Sequence, residues 1–292
     1  MDESLVIFMK KLNNVHVRNI YWLLFSPSPI AEYSLDDIPL FPEKWLWKLE
    51  KENRTFFEEL DVNSTALEEV VDGMKTSRLG LYAEVLLGYF FQHSPSTELV
   101  LHNFQLIEDK TTLGEIDFVI QLEGKLIHIE LAIKFYLGKE PTDQFANWIG
   151  PSGNDNLHAK LNKIRTHQLP IAKSDKFKEQ TGLIVESYFL LKGSFYTKNN
   201  FFPSWKNELA NFYNFFYYSE FLKELYQNKS DFLILLRPQW MSTGIDPLLE
   251  HCETFPTTIE VFRDYFHHYG ALYVFDLNKK ETFFIVADNW PT

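Results

Sequence analysis

The alternation of apolar and polar positions along the first third of the chain is typical of helices. It predicts helices over residues 14–26, 43–60 and 64–92. The first should end at the Ser-Pro-Ser-Pro run that begins at Ser26, and the last should break near Gly73. The second half of the 64–92 segment is strongly apolar, so we expect it to pack in the interior.

The pattern then changes to compact apolar runs bounded by turn residues, which are typical of strands. A tight hairpin is expected at Leu122-Glu123-Gly124-Lys125. A loop at residues 150–155 leads into an amphipathic helix that extends to about residue 168, and residues 181–191 form a further buried run. The first three predicted strands are Glu98–Ile107, Leu113–Gln121 and Leu126–Leu137.

The C-terminal third adds further predicted helices and strands, of which the last two form a hairpin around Asn278. In chain order we expect an aromatic helix near Asn211–Tyr226, a strand at Asp231–Arg237, a helix near Thr258–Tyr269, and strands at Ala271–Phe275 and Glu281–Ala287.

The order helix–strand–strand–strand–helix–strand over residues 76–191 predicts an α/β fold with a mixed sheet. No repeat or low-complexity linker marks a boundary, so we expect a single domain over residues 1–292. In this interpretation residues 1–75 form an N-terminal helical part. Residues 192–292 form an α+β extension on the central core.

Composition limits the classes of protein that fit. The 292 residues are 45% hydrophobic and 16% aromatic, which favours a large core over disorder. The net charge of −12 argues against a protein that coats nucleic acid, but it leaves room for a local cationic patch. One cysteine, Cys252, fits a cytoplasmic protein, and we expect no membrane span because no apolar run is long enough.

Two acidic residues interrupt the apolar runs of the second and third strands. These are Asp117 in Gly-Glu-Ile-Asp-Phe-Val-Ile and Glu130 in Leu-Ile-His-Ile-Glu-Leu-Ala-Ile-Lys. A carboxylate in a buried strand is costly unless something compensates its charge. On antiparallel neighbours the two acids could converge on a Mg²⁺ or Mn²⁺ ion. The alternative is an edge hairpin with a solvated acidic face, which the flanking apolar residues disfavour.

A third acid, Glu84, lies in the middle of an apolar helical segment. Gly80 and Gly88 lie one turn to either side on the same face, and small residues there would let the Glu84 face approach the sheet closely. A Glu84 that faces solvent is an equally good interpretation of the sequence.

Basic and polar residues near these acids are candidates for contacts with phosphate. Lys134 shares a strand face with Glu130 and could stabilise a transition state or orient an attacking water. On the following helix, Lys160 and His167 share a face and, with Gln168, could point at a phosphate backbone; a solvated face is the alternative. Asp155 is expected to cap the N-terminus of that helix.

At these residues the chain resembles the PD-(D/E)XK nuclease superfamily, which has the restriction-endonuclease-like fold. That superfamily is built on an α-β-β-β-α-β core, and the resemblance implies that Glu84, Asp117 and Glu130 hold the metal. More narrowly, the first half of the chain resembles an uncharacterised bacterial family within the superfamily. The similar phrases are Arg18-Asn-Ile-Tyr-Trp-Leu-Leu, Arg78-Leu-Gly, Gly114-Glu-Ile-Asp, Glu130-Leu-Ala-Ile-Lys-Phe-Tyr-Leu, Gly150-Pro, Lys160-Leu and His167-Gln168-Leu169.

One position departs from the superfamily's motif. Its lysine usually comes two residues after the acid, where this chain has Ala132, and the nearest lysine on that strand face is Lys134. The resemblance implies a Mg²⁺- or Mn²⁺-dependent nuclease with Asp117, Glu130 and Lys134 as catalytic residues. Its expected partner is nucleic acid, with DNA favoured over RNA.

Other functions stay open from the sequence. A degenerate nuclease-like fold could serve as a binding or regulatory module with a protein partner; the acidic charge, the displaced lysine and the aromatic excess favour it. A hydrolase of small phosphodiesters is a weaker third interpretation. The triplet His128-Ile-Glu130 matches half of a zinc-deaminase signature, but the cysteine pair of that signature is missing.

Overall fold

A computed structural model describes residues 3–35, 37–76, 78–198, 201–227, 232–242 and 259–291. Cys252 lies outside the described residues, as do two ends of predicted elements, Asp231 and Thr258.

Helices form the N-terminal part of the protein. The predicted helices are confirmed, including the break after Gly73, and one further helix at the N-terminus was not predicted. The second helix begins at Val15 because the Asn14 side chain accepts hydrogen bonds from the backbone N–H groups of His16 and Val17. In order the helices are α1 (Glu3–Lys11), α2 (Val15–Phe25), α3 (Glu43–Val62), α4 (Thr65–Asp72) and α5 (Leu79–His93).

The central sheet is mixed, as predicted. Its strands are β1 (Glu98–Glu108), β2 (Thr111–Leu122), β3 (Lys125–Gly138), β4 (Trp148–Ile149), β5 (Glu186–Tyr196) and β6 (Phe212–Tyr213). The order is β1-β2-β3-β5-β6, with β4 beside one end of β3. β2 is antiparallel to both β1 and β3, whereas β5 runs parallel to β3. Glu123 and Gly124 both have positive φ in the β2–β3 turn, which suits a tight hairpin.

Short helices connect β4 to β5 and cover one face of this sheet. They are α6 (Leu157–Lys163), a π-helical turn (Ile164–Gln168), α7 (Leu169–Ile171) and α8 (Asp175–Thr181). The strand predicted over residues 181–191 therefore begins five residues late, at Glu186. Ser174 caps α8, and Gly182 ends it in the left-handed region, so residue 181 belongs to a helix.

A second sheet follows, made of four strands in the order β7-β10-β9-β8. The aromatic helix predicted over residues 211–226 begins only at Tyr218, because Phe212–Tyr213 and Phe215–Tyr217 form strands. Within the described residues, the strand predicted over 231–237 covers Phe232–Ile234. The predicted C-terminal hairpin is confirmed. The elements are β7 (Phe215–Tyr217), α9 (Tyr218–Gln227), β8 (Phe232–Ile234), α10 (Ile259–Tyr269), β9 (Ala271–Asp276) and β10 (Glu281–Val286).

One apolar cluster joins the N-terminal helices to both sheets. It contains side chains from α1, α2, α3 and α5, from one face of β3, and from the second sheet as far as Trp290. The opposite face of β3 contributes Ala132 and Tyr136 to a separate cluster with Leu157 and Leu161 of α6. Helix α6 therefore covers this part of the β3 face. None of the described helices is both long and apolar enough to cross a bilayer.

Candidate functional site

Strands β2 and β3 stop pairing at the place where the two predicted acids lie. Their ladder ends with Phe118 opposite Ile129, so the next position of that register holds Asp117 and Glu130. At this position a side chain takes the place of a backbone acceptor. The Oδ2 atom of Asp117 accepts a hydrogen bond from the backbone N–H of Leu131, with an N–O distance of 2.8 Å. The acids face each other across neighbouring strands, as the sequence predicts.

Glu130 is almost completely buried under α6 and the π-helical turn. The Gln168 side chain donates a hydrogen bond to its Oε1, and Lys160 Nζ lies 3.8 Å from the same oxygen. The other oxygen, Oε2, has no hydrogen-bond partner among the described residues. His128 Nε2 is 4.0 Å from Oε2. Half of this buried carboxyl group therefore lacks the compensation that burial normally requires.

The three predicted acids affect one another's ionisation. Burial, followed by repulsion from Asp117, raises the pKa of Glu130 to about 9. Burial raises the pKa of Asp117 to about 6, although the Leu131 N–H and Lys160 act against this rise. Burial and repulsion from Asp117 raise the pKa of Glu84 to about 7. Glu84 therefore belongs to the same electrostatic cluster and is not a solvated surface acid.

Helix α5 reaches this position through a close approach at one of its two glycines. A Cβ at Gly88 would lie 2.5 Å from the ring of His102 on β1, so only glycine fits without movement. A Cβ at Gly80 would meet nothing within 4 Å. The expectation that small residues let α5 approach the sheet is correct at Gly88 and wrong at Gly80.

Lys160 is the cation that the structure places at the acids. Its Nζ donates to Gln168 Oε1 at 3.0 Å, and its pKa is lowered by burial in spite of the nearby Glu130 and Asp117. In a regular α-helix, residue 168 would point about 80° away from residue 160. The wider π-helical turn reduces this offset, and π turns are frequent at functional sites. His167 is exposed and lies against Gly114 of β2.

Lys134 is not brought to the acids. Its Nζ forms an ion pair with Asp155 Oδ2, and the Tyr136 hydroxyl donates to the same oxygen at 3.1 Å. Lys134 shares the strand face of Glu130, but four residues of strand separate their Cα atoms by about 13 Å. Asp155 is not the cap of α6, because Asn156 accepts the capping hydrogen bond instead.

Sequence analysis gave His128 no role in the site, although this residue shares the strand face of Glu130. His128 is fully buried, both of its ring nitrogens lack hydrogen-bond partners within the described part of the chain, and burial lowers its pKa to about 4. Ser187, its neighbour in the β3–β5 register, has an unpartnered buried hydroxyl as well. The available signal was the His-x-Glu spacing, which places both side chains on one face of a strand.

The donor chemistry of this cluster suits a divalent cation. In the ranges that the structure describes, no three His, Cys, Asp or Glu side chains already stand together as a set of metal ligands. Yet Glu130 presents a buried, unpartnered carboxyl oxygen, and the pKa values of three neighbouring acids are raised by burial and mutual repulsion. A cation would compensate both effects. That Glu84, Asp117 and Glu130 together hold such an ion stays a prediction.

Comparison with known proteins gives the family but no function. A model described as a domain of unknown function, DUF1853, matches residues 18–289. The chain belongs to the DUF1853 family. The DUF1853 match extends from α2 to beyond β10, so it includes both sheets and every candidate residue named above. No curated protein and no solved structure matches the chain.

Proposed function

We propose that this DUF1853 protein is a Mg²⁺- or Mn²⁺-dependent nuclease of the PD-(D/E)XK type. The observation that carries the proposal is the cluster of the buried Glu130 with the half-buried Glu84 and Asp117, beside Lys160. The element order α5, β1–β3, α6 and β5, with β5 parallel to β3, also supports a restriction-endonuclease-like core.

Each residue of the cluster has a distinct part in this proposal. Asp117 and Glu130, with Glu84, would hold the ion. A divalent cation, when bound, polarises a phosphate and lowers the pKa of a coordinated water. The N–H of Leu131 fixes the Asp117 carboxylate, and Gln168 fixes one oxygen of Glu130. Lys160, held between Gln168 and Glu130, is placed to stabilise charge on a phosphate oxygen.

The first experiment measures cleavage of labelled single-stranded DNA, duplex DNA and RNA with Mg²⁺ or Mn²⁺, beside calorimetric titration of Mn²⁺. Asp117→Asn should lower cleavage by about 100-fold or more and remove Mn²⁺ binding. The matched control is Asp175→Asn, whose side chain is 96% exposed on α8 and which should behave as wild type. A folded Asp117→Asn variant with wild-type cleavage contradicts the proposal. A wild-type protein inactive on every substrate favours the degenerate binding module instead.

A second test separates the two lysines. Because Lys160 contacts Glu130 while Lys134 pairs with Asp155, Lys160→Met should lower kcat by about 100-fold. Lys134→Met should leave kcat within about threefold of wild type, since the charge it removes lies about 13 Å along β3. The measurement is steady-state kinetics on the best substrate of the first experiment. The reverse ranking would return Lys134 to the catalytic position that the sequence predicts.

A further inference from the structure

A groove next to the acid cluster is lined by elements of both sheets. It has a volume of about 610 Å³ and lies between the end of β3, the loop before α6, the turn that contains Arg237, and helix α10. None of the three acids of the cluster is among its lining residues, so it is a separate feature of the surface.

Aromatic side chains form one wall of this groove. Tyr269, at the end of α10, is 57% exposed, and its ring centroid lies 5.8 Å from that of Tyr265. Tyr265 and Trp240 are half-buried and line the same groove. Large exposed rings that border a cavity offer flat faces on which another flat, apolar group can stack.

The ionisable residues of the groove favour an anionic ligand. Among the described residues, its lining contains two cations, Lys134 and Arg237, and one acid, Asp155, which already pairs with Lys134. The described part of the lining therefore carries a net positive charge in a chain of net charge −12. The cavity beside Lys192 is different. Its described lining contains three glutamates and one lysine, so it gives no comparable preference for an anion.

The groove lies within reach of the acids along two elements. Leu79, in the first turn of α5, lines the groove, and Glu84 follows five residues later, a rise of about 8 Å. On β3, Lys134 lines the groove about 13 Å from Glu130. Since phosphates of one strand of duplex DNA are spaced by about 3.4 Å along its axis, these lengths correspond to a few nucleotides.

We propose that this groove binds unpaired bases of a single-stranded nucleic acid a few nucleotides from the phosphate at the acids. Tyr269, the exposed ring of the wall, forms the stacking surface, and Arg237 contacts an adjoining phosphate. Only unpaired bases can present their faces to such a wall, and stacking tolerates any base sequence. The inference rests on the proposed function only for the chemical nature of the ligand.

The test measures binding of the full chain to fluorescent oligonucleotides by anisotropy, in EDTA so that no cleavage occurs. The probes are oligo-dT, oligo-U and a DNA duplex of equal length. Tyr269→Ala should weaken single-strand binding by about tenfold, and Tyr269→Phe should stay within about twofold of wild type because it keeps the ring. Tyr33→Ala, which removes a 71% exposed tyrosine elsewhere, is the control and should bind as wild type.

Three results would overturn the groove proposal: wild-type affinity in Tyr269→Ala, tighter binding of the duplex than of the single strands, or no binding of any probe by the wild type. Tighter binding of oligo-dT or of oligo-U than of the duplex supports it, and a difference between the two single strands shows which of them the groove prefers. If binding depends on Tyr269 but the protein cleaves none of the substrates, the groove proposal holds and the proposed nuclease function is wrong. Cleavage that depends on Asp117 but not on Tyr269, with binding also independent of Tyr269, supports the nuclease and rejects the groove proposal.

Discussion

At the scale of a single residue, Glu130 is a carboxyl group whose burial lowers the stability of the fold. Its carboxyl group is buried, repelled by Asp117 and hydrogen-bonded at only one of its oxygens among the described residues. A leucine of similar size would avoid all three penalties. Local arrangements that lower stability tend to occur at functional sites, which is why Glu130 and not a more exposed acid is central to the proposed function.

The pKa of Glu130 makes the stability of the metal-free protein depend on pH. Its folded pKa of about 9 lies above the value of about 4.3 in an unfolded chain, so the folded state keeps a proton that the unfolded state loses between these values. The contribution of Glu130 to the free energy of unfolding is therefore fully present below about pH 4 and declines by a few kcal/mol as the pH rises towards 9.

Replacing this carboxyl group by a neutral amide should remove that dependence. We expect Glu130→Gln to lose less stability than wild type between pH 5 and pH 8.5, as measured by urea unfolding in EDTA. Glu179→Gln, at an exposed position of α8, should parallel the wild type. Burial also raises the pKa values of Asp117 and Glu84, which no variant removes, so a residual decline should remain. Parallel curves for Glu130→Gln and wild type would show that Glu130 ionises normally.

The acids could be located from the sequence, whereas Lys160 was predicted as a phosphate contact and not as the cation beside Glu130. Asp117 and Glu130 stand out because apolar residues surround them in the chain itself, and strand periodicity then fixes their shared face. Lys160 lies 30 residues beyond Glu130, and its contact depends on how α6 and the π-helical turn pack on β3. No local pattern distinguishes it from a solvated lysine, so the sequence favoured Lys134.

At the scale of elements, α5 offers a matched pair of substitutions. Gly80→Ala fills open space in a helix and should raise the free energy of unfolding by up to about 1 kcal/mol. Gly88→Ala forces a methyl group against His102, whose ring stacks on Phe118, and should lower that free energy by about 1–3 kcal/mol. Chemical denaturation of both variants measures the difference.

A double-mutant cycle identifies the contact responsible. In a His102→Ala background the clash at residue 88 is absent, so the additional change Gly88→Ala should be neutral or stabilising. If Gly88→Ala remains equally destabilising without the His102 ring, α5 and β1 do not approach at this point as the structure shows.

The elements that were predicted wrongly from the sequence are strands whose pairing partners lie far away in the chain. Residues 212–217 are almost all aromatic, and such a run suits a helix or a strand. They form β6 and β7 because Phe212 pairs with Phe195 and Phe215 pairs with Phe284, the latter from near the C-terminus. The long strands β1–β3 were predicted well because their apolar runs and hairpin turn are local signals.

At the scale of the whole molecule, polar contacts reinforce the apolar cluster that joins the two sheets. The Tyr196 hydroxyl on β5 donates to the Tyr273 hydroxyl on β9 at 2.9 Å, and Tyr273 donates in turn to Thr282 on β10 at 2.9 Å. Asn19 of α2 also donates to the Pro238 carbonyl at 2.9 Å. Because these contacts and one core connect the halves, neither sheet should keep its packing when the other unfolds.

The protein should therefore unfold in one cooperative transition, and weakening the junction should lower stability without dividing that transition. Tyr196→Phe removes one buried hydrogen bond between the sheets and should cost about 1 kcal/mol with an unchanged m-value. Tyr33→Phe, which removes a hydroxyl from an exposed ring, should cost less. The measurement is urea unfolding followed in parallel by far-ultraviolet and near-ultraviolet circular dichroism.

Unfolding curves that differ between the two probes would mean that the sheets are independent units. In that case the groove between them would have no fixed shape, and single-strand binding there would require the halves to dock first.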